Sequence, residues 1–170
     1  DIVINNVNSS QADKISAFNA SVVTSAFSGV LDGNGYTLTI NAGTTSRPNG
    51  ILFTSLDGTL KNMNVIIRSN TWGSGNYEHR GSLVGVLNGT IENCVINLFN
   101  TCFATQNGQY YFVQEATASA VVRNVVVYNG GLRNAARFIH TADASMTIEN
   151  VGVVDSELTT APAVNNVNGL

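Results

Sequence analysis

The feature that most constrains this chain is an internal repeat. The run Gly50-Ile51-Leu52-Phe53-Thr54-Ser55-Leu56-Asp57-Gly58-Thr59-Leu60-Lys61-Asn62-Met63-Asn64-Val65 superposes without a gap on Gly81 to Ile96, 31 residues later. A second step of 31 reaches Phe112 to Val127, and a step of 26 reaches Phe138 to Val153. Self-similarity at such a period belongs to stacked architectures, in which each unit buries its apolar face against its neighbours.

Reading down the columns turns the repeat into a fold. Leu60, Ile91, Val122 and Ile148 form one apolar column. Met63, Cys94, Val125 and Val151 form a second, and Val65, Ile96, Val127 and Val153 a third. A fourth is expected to hold Leu56, Leu87, Ala118 and Ala144. Apolar and polar residues alternate at period two, the mark of short half-buried strands, and equivalent residues stack about 4.8 Å apart. The fold expected is all-β: a single-stranded right-handed parallel β-helix, or β-solenoid.

Between the first two columns stands an unbroken file of Asn62, Asn93, Asn124 and Asn150. Asparagine tolerates the left-handed backbone and can hydrogen-bond along a stack, so a structural ladder at a bend is its natural place. The preceding column is Lys61, Glu92, Arg123 and Glu149, with alternating sign. An outward ladder of that kind adds about 0.2–1 kcal/mol per exposed pair and penalises register slips.

The ends depart from the repeat. Phe27 to Ile40 reads as an entry coil, with Leu38 expected under Leu60 and a shortest coil of 22 residues. Ser10 to Phe18 has a Ser start and apolar Ala12, Ile15 and Phe18, so a short helix is expected there to cap the open end. The organisation expected is an N-terminal cap over 1–26, coils over 27–156, and a C-terminal cap or exit segment over 157–170.

The order Phe27-x-Gly29-x-Leu31-Asp32-Gly33-Asn34-Gly35-Tyr36-Thr37-Leu38, then Ile51-Leu52-Phe53, then Gly58-Thr59-Leu60-Lys61-Asn62-Met63-x-Val65 resembles the β-helical repeats of GLUG-motif surface proteins. Similar coils occur in bacterial adhesins and in viral and phage structural proteins. The likeness spans residues 12–155. Thr54 and Ser82 depart from it, standing where the family's short Gly-Leu-x-Gly motif has glycine. The resemblance implies a display module of an extracellular or particle surface, with no cofactor, and it carries over no catalytic residue.

Composition narrows the partners. A net charge of −3 with no basic cluster argues against nucleic acid and against an anionic membrane surface. No apolar run approaches the roughly 20 residues that membrane insertion requires. The chain opens on Asp1 rather than Met, which reads as a processed or partial chain. Its Asn/Thr/Ser/Gly-rich, Lys-poor surface suits an extracellular, cell-surface or virion setting. Two cysteines cannot make a disulfide framework or a zinc site, and no metal is expected. Cys94 belongs to a core column, and Cys102 is a loop thiol unless the two meet in space.

Two features could carry function. The segments from Arg68 to Arg80 and Phe99 to Tyr111 exceed the shortest coil and hold Trp72, Tyr77, Phe103, Tyr110 and Tyr111. These loop aromatics either grip a partner, glycan or protein, or tuck beneath their own loops. The second feature is the outward face after the Asn bend, where Ile66, Val95, Val126, Tyr128 and Val154 replace the polar residues of a solvated strand. Such a face is either an interface or covered by the long loops.

Catalytic candidates are weaker. Asp57 is the only carboxylate expected in its column, whose other members are Asn88, Ser119 and Ser145. Glycoside hydrolysis needs two carboxylates on one face. Glu78-His79-Arg80 reads as a solvated loop end, and His140 as a structural strand residue beside Gln114. Thr59, Thr90 and Thr147 form a partial rank interrupted by Val121, which does not make the flat Thr plane of ice binding. The expectation is a non-enzymatic structural or adhesive module that meets a protein partner in a surface assembly or particle and forms a homo-oligomer in some settings. The alternative is a glycan-binding module, or a fragment of a polysaccharide-acting enzyme.

Overall fold

The computed structural model describes residues 1–5, 23–42, 52–69, 81–97, 110–128, 137–154 and 157–159. Among them every regular element is a strand, and every strand pairing is parallel. One sheet holds β1 (Ile2–Asn5), β3 (Val30–Asp32), β4 (Thr37–Ala42), β6 (Thr59–Ser69), β8 (Thr90–Asn97), β10 (Val121–Tyr128) and β12 (Thr147–Val154). The other holds β2 (Val23–Phe27), β5 (Phe53–Leu56), β7 (Gly81–Leu87), β9 (Tyr110–Ala116), β11 (Arg137–Ala142) and β13 (Glu157–Thr159). From β5 onward, consecutive strands fall on alternate sheets. From β6 onward each new strand lies beside the one two places earlier in the chain.

The columns of the first sheet follow the repeat. Leu60 pairs with Ile91, Ile91 with Val122, and Val122 with Ile148. The Met63 and Val65 columns run in the same register. These side chains and those of Phe53, Leu56, Val84, Leu87, Phe112, Val113, Phe138 and Ile139 form one buried cluster drawn from both sheets. Burying an aliphatic side chain of this size contributes about 1.5–3 kcal/mol, so the columns supply most of the drive for stacking. The Phe112 and Phe138 rings stack with centroids 5.4 Å apart.

The second sheet corrects one column. Val84 pairs with Val113, a step of 29, while Ile91 pairs with Val122, a step of 31. The two extra residues lie in the turn Thr117–Ala120, closed by Ala120 N donating to Thr117 O at 3.0 Å. Asp143–Met146 makes a similar turn at 3.2 Å. The Leu56, Leu87 column therefore continues through Ala116 and Ala142. Ala118 and Ala144 are exposed turn residues instead.

The first repeat differs too. Leu31, not Leu38, pairs with Leu60, and Leu38 pairs with Val65. The reason is a turn at Asn34-Gly35, with φ of 47° and 80°, closed by Tyr36 N donating to Gly33 O at 2.8 Å. Positive φ at both central residues is the type I′ geometry that Asn-Gly favours. It places two more residues at a bend that Asn62 later makes alone. No 22-residue unit therefore exists among the described residues, where the step is 26 from Val122 to Ile148 and 20 from Arg137 to Glu157.

The expected end segments also shift. β1 and most of β2 lie within residues 1–26, yet β1 pairs with β4 and β2 with β5. β13 lies beyond residue 156 and pairs with β11. The helix expected at Ser10 to Phe18 lies outside the described residues.

Candidate functional site

Two polar corners frame the surface of the first sheet. At one, Asn62, Asn93 and Asn124 all have φ of 52°, and Asn150 has 51°. Left-handed backbone costs an ordinary L-residue about 1–2 kcal/mol, and asparagine is the non-glycine residue that accepts it most readily. Their amides form a directed chain. Asn93 Nδ2 donates to Asn62 Oδ1 at 3.2 Å, Asn124 Nδ2 to Asn93 Oδ1 at 3.0 Å, and Asn150 Nδ2 to Asn124 Oδ1 at 3.1 Å.

A carboxylate ends this chain. Asn62 Nδ2 donates to Asp32 Oδ1 at 3.0 Å, and Asn34 N donates to the same oxygen at 2.9 Å. Asp32 also begins the charged ladder, because it pairs in register with Lys61, whose Nζ lies 3.4 Å from Asp32 Oδ2. One step further, Arg123 Nη2 and Nε approach Glu92 Oε2 at 2.6 and 2.7 Å. The sequence reading missed Asp32 because the two-residue insertion at Asn34-Gly35 hides its register. Its offset of 29 from Lys61 is the signal that would have found it.

The other corner carries a second polar file that the sequence reading placed incorrectly. The backbone amides of Asp57, Asn88, Thr117 and Asp143 donate to Phe27, Leu56, Leu87 and Ala116 O, so these four are equivalent. Asp143, rather than Ser145, is thus the last member. Ser55 Oγ donates to Asp57 Oδ1 at 2.6 Å, and Asn88 Nδ2 to the same oxygen at 2.8 Å. Thr117 Oγ1 donates to Asn88 Oδ1 at 2.9 Å, and Ser119 Oγ to Asn88 O at 2.9 Å.

The chemistry of these carboxylates is structural in character. The Asn34 amide, the Asn62 side chain and Lys61 hold Asp32 below the usual carboxylate value. Hydrogen bonds from Ser55 and Asn88 do the same for Asp57. A carboxylate whose ionised form is already satisfied by donors is a poor general acid at neutral pH and a weak base. Burial pushes the Cys94 thiol up to about 11, and its Sγ lies 3.2 Å from Glu92 O. Cys94 is a free thiol. Among the described residues, no three His, Cys, Asp or Glu side chains gather to hold a metal ion.

The outward apolar residues fall in two adjacent columns. Asn64, Val95, Val126 and Gly152 are one; Ile66, Asn97, Tyr128 and Val154 are the other. Val95, Val126 and Val154 remain 39%, 42% and 55% exposed, whereas Ile66 and Tyr128 are half-buried. A depression of about 310 Å³ opens on this face, lined by Thr37, Asn64, Val65, Ile66, Val95, Asn97 and Tyr128. A larger cavity of about 490 Å³ lies at the β1 end, where Leu31, Leu38, Leu52 and Met63 provide apolar lining.

Trp72, Tyr77 and Phe103 lie outside the described residues. Tyr110 and Tyr111 are strand rather than loop: they begin β9 and pair with Gly81 and Ser82 of β7. The structure therefore brings together the five outward apolar residues and does not gather the aromatic set. Compared with protein-family models, curated proteins and solved structures, the chain matches none.

Proposed function

We propose that the two parallel sheets are faces of a single-stranded right-handed parallel β-helix, and that this solenoid is a non-enzymatic structural or adhesive module of a virion or cell surface. It works through contacts with protein, made by the apolar stripe of β8, β10 and β12. The solenoid reading is supported by the alternation of strands between sheets from β5 onward and by the single core that both share. The cavity at the β1 end supports an N-terminal cap, because an open core end exposes apolar surface to water.

One observation carries the functional reading. Val95 and Val126 are in-register neighbours pointing outward at roughly two-fifths exposure, with Val154 beside them. Contiguous exposed apolar residues of this kind mark interaction surfaces more often than plain solvent surface.

The test has two arms. Val126→Glu, expressed in the native setting, is expected to melt within about 0.5 kcal/mol of the parent, as surface changes do. It is expected to lower the amount of chain held at the surface or particle at least tenfold. Unchanged retention with an intact fold would remove the stripe from the account. A reducing-sugar assay over a polysaccharide panel, with a glycan array beside it, covers the alternative chemistry; release of sugar would end the non-enzymatic reading.

A further inference from the structure

We propose that the depression on the outward face of the first sheet is a binding subsite for one neutral pyranose residue of a glycan. The inference goes beyond the reading of Val126 and Val154 as a protein contact, and neither depends on the other. The depression holds about 310 Å³, at the small end of ligand clefts, which fits one sugar residue better than an oligosaccharide. Among the described residues that line it none carries a charge, so nothing there draws a phosphate or an acidic sugar.

The strand register arranges its floor. Asn64 lies beside Val95, and at the next outward position of the same two strands Ile66 lies beside Asn97. The residues between them, Val65 and Ile96, are fully buried in the core. The four outward residues therefore form a block in which amides occupy one diagonal and aliphatic side chains the other. With strands about 4.8 Å apart and alternate residues about 6.6 Å apart, each diagonal spans roughly 8 Å. Thr37 beside Asn64 and Tyr128 beside Asn97 extend the polar diagonal at its two ends.

Crossed diagonals of this kind match the chemistry of a pyranose ring. Its axial C–H bonds make two apolar faces, while equatorial hydroxyls radiate in the plane of the ring. Laid flat on Ile66 and Val95, such a ring directs hydroxyls from opposite edges toward the two amides. An amide both donates and accepts, as does a hydroxyl. Asn64 Nδ2 donates to Gly35 O at 3.4 Å, which uses one of the four hydrogen-bonding positions an amide offers. An aliphatic anchor from a protein would instead cover both amides without bonding them, and burying a polar group unpaired is unfavourable.

A nuclear magnetic resonance titration of the full chain tests this. Methyl β-D-glucopyranoside, whose ring substituents are all equatorial, is the ligand. Sorbitol, an open-chain polyol without a rigid apolar face, is the control. The glucoside is expected to bind with a Kd on the order of 1 mM and to shift the side-chain amide signals of Asn64 and Asn97. Sorbitol is expected to bind at least about tenfold more weakly. Asn64→Ala and Asn97→Ala should each weaken the glucoside about tenfold, as loss of one bonded amide does. Asn64 is exposed, so Asn64→Ala decides the matter even if Asn97→Ala unfolds the chain.

Absence of glucoside binding at roughly 50 mM overturns the proposal. So does equal binding of sorbitol, or glucoside binding that Asn64→Ala leaves unchanged. Val126→Glu lies outside the lining and separates the two readings of this face. Glucoside binding with retention unaffected by Val126→Glu would keep the subsite and remove the protein contact. Lost retention in that variant, with no glucoside binding by the parent, would do the reverse.

Discussion

The two polar corners solve the same problem, turning a stacked chain between strands, by different means. From Asn62 onward the Asn corner is uniform: one left-handed residue per repeat, the same φ within a degree, and one amide hydrogen bond per step. The opposite corner changes partway along the stack. At Asp57-Gly58 and Asn88-Gly89 it is two residues wide, and at Thr117–Ala120 and Asp143–Met146 it is four. Where backbone conformation is the constraint, one residue type is repeated. Where close approach of successive turns is the constraint, the turn itself can be widened.

The glycines show this most directly. A Cβ built on Gly89 would lie 2.0 Å from Gly58 O, and one on Gly58 would lie 2.0 Å from Gly29 O. The narrow turns therefore stack backbone on backbone. In the wide turns the corresponding positions are Ala120 and Met146, as the hydrogen bonds of Val121 N to Gly89 O and Thr147 N to Ala120 O indicate. Both side chains are buried in the core. Two added residues thus convert a position that excludes any side chain into one that adds to the core.

The largest effect should come from forcing that conversion. Gly89→Ala leaves the turn narrow and drives a methyl into a carbonyl oxygen, so a loss of about 3 kcal/mol is expected, at the upper end of overpacking costs. Ala120→Gly, in the wide turn, removes one methyl and should cost about 1 kcal/mol. Urea unfolding of both variants measures the contrast. Equal losses would mean that turn width does not separate the two kinds of corner.

The Asn corner should respond next, and in two steps. Asn93→Gly keeps the left-handed backbone but deletes the bonds to Asn62 and Asn124, at about 1–2 kcal/mol. Asn93→Ala also strains the backbone and should cost about 1 kcal/mol more. Asn150 makes one such bond among the described residues, so Asn150→Gly should cost less than Asn93→Gly. If Asn93→Ala and Asn93→Gly unfold at the same urea concentration, the file is selected for its hydrogen bonds and not for its φ.

This contrast also explains what could be read in the sequence. The three apolar columns of the first sheet and the Asn file were legible because one residue per repeat satisfies each, so a constant offset exposes them. The second sheet was legible only as far as the corners kept their width. Beyond Leu87 the two-residue widening moved the true partners from Ala118 and Ala144 to Ala116 and Ala142. It also concealed Asp143 as the equivalent of Asp57. Asp32 was hidden at the other end by the Asn34-Gly35 turn. An ungapped alignment cannot reveal an insertion within a turn, because Thr, Ala and Ser fit a wide corner as readily as a strand end. The apolar stripe was legible as a violation of alternation, but the depression beside it, which Tyr128 helps to line, depends on side-chain packing that no spacing encodes.

The smallest effect expected is one of pH, and it falls on the narrow side of the variable corner. Asp57 lies below the usual 3.8 because Ser55 and Asn88 donate to its ionised form. A carboxyl with a lowered folded value binds fewer protons folded than unfolded near pH 4, so stability rises with pH through that window. Its contribution is complete above 3.8 and is lost as pH falls through the lowered value. Asp57→Asn keeps an acceptor for Asn88 but cannot titrate, so its melting temperature should fall less than the parent's between pH 6 and pH 3. Asp32→Asn should flatten the same slope, and it should also lower stability at pH 6, because it removes the charge facing Lys61. At the first wide turn Thr117 takes the place of the carboxylate, so Thr117→Val should leave the slope unaltered while breaking the bond to Asn88. If Asp57→Asn melts along the parent's curve at every pH, the carboxylate adds nothing that an amide could not, and the second corner is held by turn geometry alone.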